Sequence, residues 1–326
     1  MRVAAIDCGT NSLRLLVADV PAAGDLVDVT RDMEIVRLGQ GVDRTGRLAT
    51  EAIERTRVAL AGYTARLRAL GAERVRMVAT SASRDAANAD EFRAMVRATL
   101  GVDPEVVSGD EEARLSFTGA VRGLPAGAEP PYLVVDIGGG STEFVRGTST
   151  VDSALSVDVG CVRMTERHLH GDPPSAAEIA AAEGDVGSAV DRALSAVGGR
   201  SGGTLVGLAG SVTTVAAIAL GLDRYRPERI HGARIGYPDV ATVTADLLAA
   251  TRAERLALPV MHPGRADVIG AGALILREIM RRSGADSVIA SEHDILDGIA
   301  YGLARVSELA TEVVSADAEL LRRLGE

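Results

Sequence analysis

Two short glycine-containing loops carry residue types that could do chemistry, and each loop follows an apolar, strand-like run. Residues 7–12 read Asp-Cys-Gly-Thr-Asn-Ser, and residues 136–143 read Asp-Ile-Gly-Gly-Gly-Ser-Thr-Glu. Glycine lets backbone N–H groups approach a ligand, and successive N–H groups with nearby hydroxyls suit phosphate oxygens. The acid that opens each loop would be out of place beside phosphate unless a cation lay between them. These two segments, the first and second glycine loops, predict a phosphate site between two related domains.

A third junction of the same kind lies further along the chain, at residues 205–214. It reads as a strand that runs through glycine and hydroxyl residues into a helix. The N-terminus of that helix would face an anion, which makes Gly210 and Ser211 candidate phosphate ligands. An ordinary helix cap with close packing at glycine explains the same pattern equally well.

The elements that must position these loops alternate between strands and helices. The first half predicts strands at residues 3–6, 13–18, 34–38, 74–79 and 105–107, and helices at 50–70, 90–100 and 110–121. A Pro- and Gly-rich linker follows at 123–131, after which the pattern of strand, glycine loop and strand restarts. This order predicts an α/β protein with two domains and a ligand cleft between them.

Bulk composition excludes several classes of protein. The 326 residues carry a net charge of −10, which disfavours nonspecific nucleic-acid binding, and all 35 basic residues are arginine. The two cysteines are too few for a disulfide framework. There is no leader-like N-terminus and no apolar run of roughly 18 residues, so a cytoplasmic protein without a membrane span is expected.

Further motifs follow the first glycine loop in order along nearly the whole chain. They include Arg-Leu-Gly-Gln-Gly-Val-Asp at 37–43, Ala-Thr-Ser-Ala-Ser-Arg-Asp at 79–85, Ser-Gly-Asp-Glu-Glu-Ala-Arg at 108–114, Gly-Cys-Val-Arg-Met-Thr-Glu at 160–166, Gly-Arg-Ala-Asp-Val-Ile at 264–269 and Ser-Glu-His-Asp-Ile-Leu-Asp-Gly at 291–298. With them the chain resembles the exopolyphosphatase and guanosine pentaphosphate phosphohydrolase (Ppx/GppA) family. That family belongs to the superfamily of actin, sugar kinases and heat-shock ATPases.

The resemblance implies two ribonuclease-H-like domains with the active site in the cleft. We place the domains at residues 1–124 and 125–326, with a last helix at about 302–326 that packs back on the first domain. The implied activity is cation-assisted hydrolysis of phosphoanhydrides, on inorganic polyphosphate or on the 5′ γ-phosphate of pppGpp. Longer family members carry helical C-terminal domains, whereas this sequence stops soon after its last motif. A preference for short polyphosphate is therefore expected, and the family also implies a homodimer.

The resemblance also implies roles for individual residues. The glutamate directly before Ala-Arg, Glu112, would be the catalytic base, although a carboxylate in a first helical turn is also stabilised by the helix dipole alone. The expected phosphate ligands are Thr10, Asn11, Ser12, Arg84, Gly138, Gly139, Gly140, Ser141, Gly210 and Ser211. Asp136 and Glu143 would lie nearest a Mg²⁺ or Mn²⁺ ion, with Asp7 acting through water, unless Glu143 and Asp7 only accept hydrogen bonds from loop amides.

Other interpretations are less consistent with the sequence. Cys8 and Arg14 have the spacing of cysteine phosphatases, but residues 13–18 are β-like, so no helix follows to stabilise a thiolate. The five scattered histidines do not supply a zinc site. A nucleotide-binding regulatory protein with weak turnover, an ATPase and a small-molecule kinase remain alternatives. The presence of Glu112 with Asp136 and Glu143 favours an enzyme over a regulatory protein, and the Glu-Glu-Ala-Arg segment favours hydrolysis over a kinase reaction.

Overall fold

The computed structural model describes residues 1–21, 25–199 and 202–304. In the first half, the strands are β1 (Arg2–Cys8), β2 (Ser12–Asp19), β3 (Val27–Ile35), β4 (Arg74–Ala79) and β5 (Glu105–Val106). They form one sheet in the order β3-β2-β1-β4-β5, in which β2 runs antiparallel to its two neighbours and β4 and β5 are parallel to β1. The helices of this half are α1 (Val42–Thr45), α2 (Thr50–Ala69), α3 (Ser81–Asp85), α4 (Ala89–Leu100) and α5 (Gly109–Arg122).

The second half repeats this arrangement. Its strands are β6 (Tyr132–Ile137), β7 (Thr142–Gly147), β8 (Val151–Val157), β9 (Thr204–Leu208), β10 (Arg234–Gly236) and β11 (Ser287–Ala290). The order β8-β7-β6-β9-β11 matches that of the first sheet, and β10 adds one antiparallel strand at the edge. A sheet with three antiparallel strands followed by parallel ones is ribonuclease-H-like, so the predicted fold class is confirmed.

Helices cover both sheets, which explains why β1 and β6 are almost continuously apolar and buried. The helices of the second half are α6 (Cys161–His168), α7 (Ala176–Val197), α8 (Ala209–Ala219), α9 (Pro227–Ile230), α10 (Tyr237–Ala249), α11 (Arg252–Leu256), α12 (Ile269–Ser283) and α13, which is described over residues 295–304. The largest apolar core packs α7, α8, α10 and α12 against the second sheet. No helix among the described residues is long and apolar enough to cross a membrane.

Two helices join the halves. Helix α5, from the first half, packs on the second sheet, and α13 packs on the first sheet. They cross closely, because a Cβ atom on Gly119 would lie 1.9 Å from the carbonyl oxygen of Asp294, and one on Gly298 would lie 2.0 Å from that of Leu115. The domain boundary at residue 124 stays a prediction. Residues 305–326, most of the predicted last helix, lie outside the described residues.

The predicted third strand at residues 34–38 is wrong in its position. Strand β3 ends at Ile35, and the backbone after it turns toward the first glycine loop. There the N–H groups of Val36 and Arg37 donate to the carbonyl of Asn11 at 3.1 and 2.9 Å. The helices predicted at 50–70, 90–100 and 110–121 are confirmed to within one residue at each end.

Candidate active site

The two glycine loops have the same turn and face each other across the cleft. Each is closed by a 3.0 Å hydrogen bond, from the Gly9 N–H to the Ser12 carbonyl and from the Gly138 N–H to the Ser141 carbonyl. They follow β1 and β6, the equivalent strands of the two sheets. A Cβ atom on Gly139 would lie only 2.9 Å from that of Thr10, so glycine is required for this close approach. Between the loops lies the cleft cavity, of about 90 Å³.

The backbone N–H groups of both loops are available to a ligand. No acceptor is found within the described residues for the N–H groups of Thr10, Asn11, Gly139, Gly140 and Ser141. The loop carbonyls, in contrast, accept hydrogen bonds from the segment at 36–39 and from α6. Free N–H groups beside a cavity favour an anion with several oxygens.

Glu112 enters this cavity from the first turn of α5. Ser108 caps that helix by accepting a 3.2 Å hydrogen bond from the Glu111 N–H, and Glu112 lines the cavity although it is buried. Arg84 donates to Glu112 Oε2 at 2.7 Å and to the Val107 carbonyl at 2.9 Å. Burial raises the pKa of Glu112 to about 7 in spite of the guanidinium. A carboxylate with a pKa near neutrality suits a general base.

Two hairpins place four charged residues at matching positions. In the β1–β2 hairpin Asp7 lies opposite Arg14, which donates to Asp7 Oδ2 at 2.6 Å and also pairs with Asp294. In the β6–β7 hairpin the same positions hold Asp136 and Glu143. In the first hairpin, Arg14 therefore neutralises the charge of Asp7. The second hairpin places two carboxylates side by side, and neither has an ion pair among the described residues.

Hydroxyl groups hold these two carboxylates in place. Ser116 donates to Asp136 at 2.7 Å, and Ser156 donates to Glu143 at 2.8 Å. Burial raises the pKa of Asp136 to about 6, and burial and the charges of Glu112 and Asp136 raise that of Glu143 well above its ordinary value. Bound positive charge would stabilise both carboxylates in their ionised form.

The donor set fits a hard divalent cation. Asp7 Oδ1 and Glu143 Oε2 are buried and lack a hydrogen-bond partner, and carboxylate oxygens are the ligands that Mg²⁺ and Mn²⁺ prefer. No group of three or more His, Cys, Asp or Glu side chains in the described ranges is arranged to hold a metal by itself. A bound ion would therefore take water and phosphate oxygens as further ligands. The metal-binding roles of Asp7, Asp136 and Glu143 stay predictions.

Most of the predicted site residues come together at the cleft cavity. Those that line it are Asp7, Thr10, Asn11, Ser12, Glu112, Gly138, Gly139, Ser141, Gly210 and Ser211. Four others do not line it: Arg84, Gly140, Asp136 and Glu143. Arg84 contacts Glu112 from outside the cavity, and Gly140 packs against the hydroxyls of Thr10 and Ser81. Phosphate binding by Arg84 and Gly140 stays a prediction.

The third junction also reaches the cavity. Ala209 has a φ of 66°, which is strained for a non-glycine residue, and helix α8 begins there. A Cβ atom on Gly210 would lie 2.2 Å from Cζ of Arg265, so glycine lets this guanidinium enter the cleft. Sequence reasoning missed Arg265 and Asp294 as site residues, although both lie in motifs that carry the resemblance. It considered Arg14 only for its spacing from Cys8.

The cysteine-phosphatase interpretation does not fit the structure. Cys8 is fully buried within β1, among the apolar side chains of the first half. Burial and the nearby charge of Asp7 raise the pKa of its thiol, which opposes formation of a nucleophilic thiolate. Arg14, the other residue of that motif, is engaged by Asp7 and Asp294.

Two ribonuclease-H-like halves place glycine loops on both sides of a cleft, and a glutamate of raised pKa lies between the loops. These features define a protein equipped for phosphate chemistry. The model of the Ppx/GppA phosphatase family matches residues 16–306, and the chain belongs to that family. It is an enzyme, a phosphoanhydride hydrolase.

Similar proteins cover nearly the whole chain. Exopolyphosphatase 2 of Mycobacterium tuberculosis is 52% identical over 315 residues, which are 93% of this chain and 98% of the relative. A crystal structure of an exopolyphosphatase-like protein superposes with a TM-score of 0.90 at 42% identity, covering 94% and 99% of the two chains. The Ppx/GppA family member of Aquifex aeolicus gives 0.77 at 32% identity, covering 96% and 98%.

Proposed function

We propose that this chain is an exopolyphosphatase that releases the terminal phosphate of inorganic polyphosphate with the help of Mg²⁺ or Mn²⁺. The observation that carries the proposal is the set of unpartnered loop N–H groups beside buried Glu112 in one cavity. The similarity to Exopolyphosphatase 2 supports the choice of substrate. Ppx/GppA phosphatases generally depend on a divalent metal, which is consistent with the free carboxylate oxygens of the site.

In this mechanism the loop N–H groups bind the terminal phosphate from both sides. Glu112 holds a water molecule and accepts its proton as the water oxygen bonds to the terminal phosphorus, while Arg84 keeps the carboxylate in position. The bridging P–O bond breaks, and the shortened chain leaves with the bridging oxygen. Asp136 and Glu143 would hold a divalent cation, which would supply positive charge that offsets the charge of the phosphate.

The leaving group would occupy a second space that adjoins the cleft cavity. This chamber has a volume of about 450 Å³ and shares Arg14, Ala209, Gly210 and Arg265 with the cavity. The preference for short polyphosphate stays a prediction.

A second candidate substrate, pppGpp, is favoured by the chamber's lining. Beside Arg31 and Arg265 it contains Met33, Tyr225 and Met261. Apolar and aromatic side chains suit a nucleoside better than a polyanionic chain, which needs positive charge along its length.

The test is phosphate release by the purified protein with Mg²⁺ on short polyphosphate, long polyphosphate, pppGpp and ATP. Glu112→Gln is the inactive variant, and Glu111→Gln is its control, because Glu111 is exposed on the same helical turn. Fastest release from short polyphosphate, lost only in Glu112→Gln, supports the proposal. Fastest release from pppGpp selects the second candidate. Phosphate binding without release from any of the four would leave a regulatory binding protein.

A further inference from the structure

Helix α6 begins directly behind the second glycine loop and holds its carbonyl groups. The carbonyl of Gly138 accepts from the Cys161 N–H at 2.9 Å, and that of Gly139 accepts from the Val162 N–H at 2.9 Å. In a trans peptide the carbonyl and the following N–H point in opposite directions. The hydrogen bond to the Gly138 carbonyl therefore turns the N–H of Gly139 away from α6 and toward the cavity.

The third loop carbonyl is held by a side chain instead of the backbone. Arg163 Nε donates to the carbonyl of Gly140 at 2.7 Å, which turns the N–H of Ser141 toward the cavity in the same way. A charged donor makes a stronger hydrogen bond than a neutral amide. Of the three carbonyl groups, that of Gly140 is thus the one whose orientation depends on a side chain.

The same guanidinium also reaches across the cleft. Arg163 Nη1 donates to Asp43 at 2.6 Å, and Nη2 donates to Asp85 at 2.5 Å. Both carboxylates belong to the first half of the chain, and the Arg163 side chain between them is only 12% exposed. A planar guanidinium with several fixed donors can satisfy all three acceptors at once.

We propose that Arg163 is a positioning residue that orients the second glycine loop for phosphate, with its own side chain held by two carboxylates of the first half. The inference rests on the proposed function, in which the cavity binds a terminal phosphate. Asp43 and Asp85 hold the Arg163 guanidinium from the first half of the chain, so that its Nε stays on the Gly140 carbonyl.

The experiment compares Arg163→Ala with Arg167→Ala. Arg167 lies one turn further along α6 and donates to Asp43 at 3.0 Å and to Asp185 at 2.9 Å, but it contacts no loop carbonyl. Both variants therefore lose an ion pair to Asp43, and only the first also loses the ion pair to Asp85 and the loop contact. The readouts are kcat and KM with tripolyphosphate and the Kd of pyrophosphate.

Loss of a charged hydrogen bond should lower kcat/KM of Arg163→Ala roughly 10- to 100-fold and raise its Kd for pyrophosphate by a similar factor. Arg167→Ala should stay within about threefold of the wild type, as expected for an exposed pair. Arg163→Lys keeps the charge but lacks the fork that reaches three acceptors, so it should be intermediate. It replaces Arg163→Ala in the comparison if the alanine variant does not fold.

Hydrogen exchange in the ligand-free protein separates this inference from the proposed function. The amides of Gly138, Cys161 and Val162 donate hydrogen bonds to the carbonyls of the second glycine loop, and they should exchange faster in Arg163→Ala than in Arg167→Ala, whichever substrate the enzyme uses. If the wild type released no phosphate, the proposed function would fail while the exchange comparison still decided the role of Arg163. Equal effects of the two variants on exchange, kinetics and pyrophosphate binding would overturn the inference and leave an ordinary ion pair between the halves.

Discussion

Glu112→Gln should make the ligand-free enzyme more stable at the same time as it makes it inactive. Burial raises the pKa of Glu112 from 4.5 to about 7, so the folded state binds a proton more readily than the unfolded chain does. The folded state is consequently favoured at low pH and loses stability as the pH rises through about 7. Glutamine is a neutral isostere that does not ionise, and it avoids this loss.

The size of the pKa shift of Glu112 determines how much the substitution raises the free energy of unfolding. At 1.36 kcal/mol for each pKa unit, the gain in the free energy of unfolding is at most about 3 kcal/mol near pH 8, about 2 kcal/mol near pH 6 and under about 1 kcal/mol near pH 5. Phosphate release should fall by about 10²- to 10⁴-fold, since the general base is lost. In the metal-free wild type, Glu112 should lose its proton as the pH rises through about 7.

The assay is urea denaturation of both proteins over this pH range, with EDTA present so that no metal is bound. Glu111→Gln is the control and should change stability by less than about 0.5 kcal/mol at every pH. A Glu112→Gln protein that is less stable than the wild type near pH 8, or a difference that does not change with pH, would refute the reasoning.

Three further outcomes are expected. Gly140→Ala should reduce phosphate release, because its Cβ would lie 2.7 Å from Thr10 Oγ1 and push the two glycine loops apart; unchanged kcat/KM would contradict this contact. Gly298→Ala should cost about 1–3 kcal/mol in urea denaturation, because its Cβ would meet the Leu115 carbonyl and separate α5 from α13. Its control, Gly62→Ala, has open space and should be neutral or stabilising by up to about 1 kcal/mol. Chelation with EDTA should abolish phosphate release and added Mg²⁺ should restore it, and full activity in EDTA would contradict a cation at the paired carboxylates of β6 and β7.

Much of the fold was readable because its signals are local. The strands that precede the glycine loops are short apolar runs, and the loops themselves are marked by residue type within a few positions. The helix predicted at 50–70 ends within one residue of α2. The third strand was misplaced because residues 36–39 form their hydrogen bonds with the first glycine loop instead of continuing the strand. The residue at which β3 ends therefore depends on a loop more than twenty residues away in the chain.

The residues of the site likewise divide into those that local motifs identify and those whose partners are distant in the chain. Glu112 and the loop residues could be named because each lies in a compact motif. Arg265 and Asp294 could not be given a place, because their partners are distant: Arg265 packs against Gly210, and Asp294 pairs with Arg14 across 280 positions of sequence. The role inferred for Arg163 depends likewise on two carboxylates from the other half of the chain.

By itself the sequence determined the α/β class, the two glycine loops and the family resemblance, since these depend on residue types and spacings within short segments. The tertiary structure alone decided which carboxylates are neutralised and which remain without an ion pair. Asp7 and Asp136 head matching loops, but one lies opposite Arg14 and the other opposite Glu143. The tertiary structure also raises the pKa of Glu112, because the burial of this carboxylate and the charges around it exist only once both halves of the chain surround it.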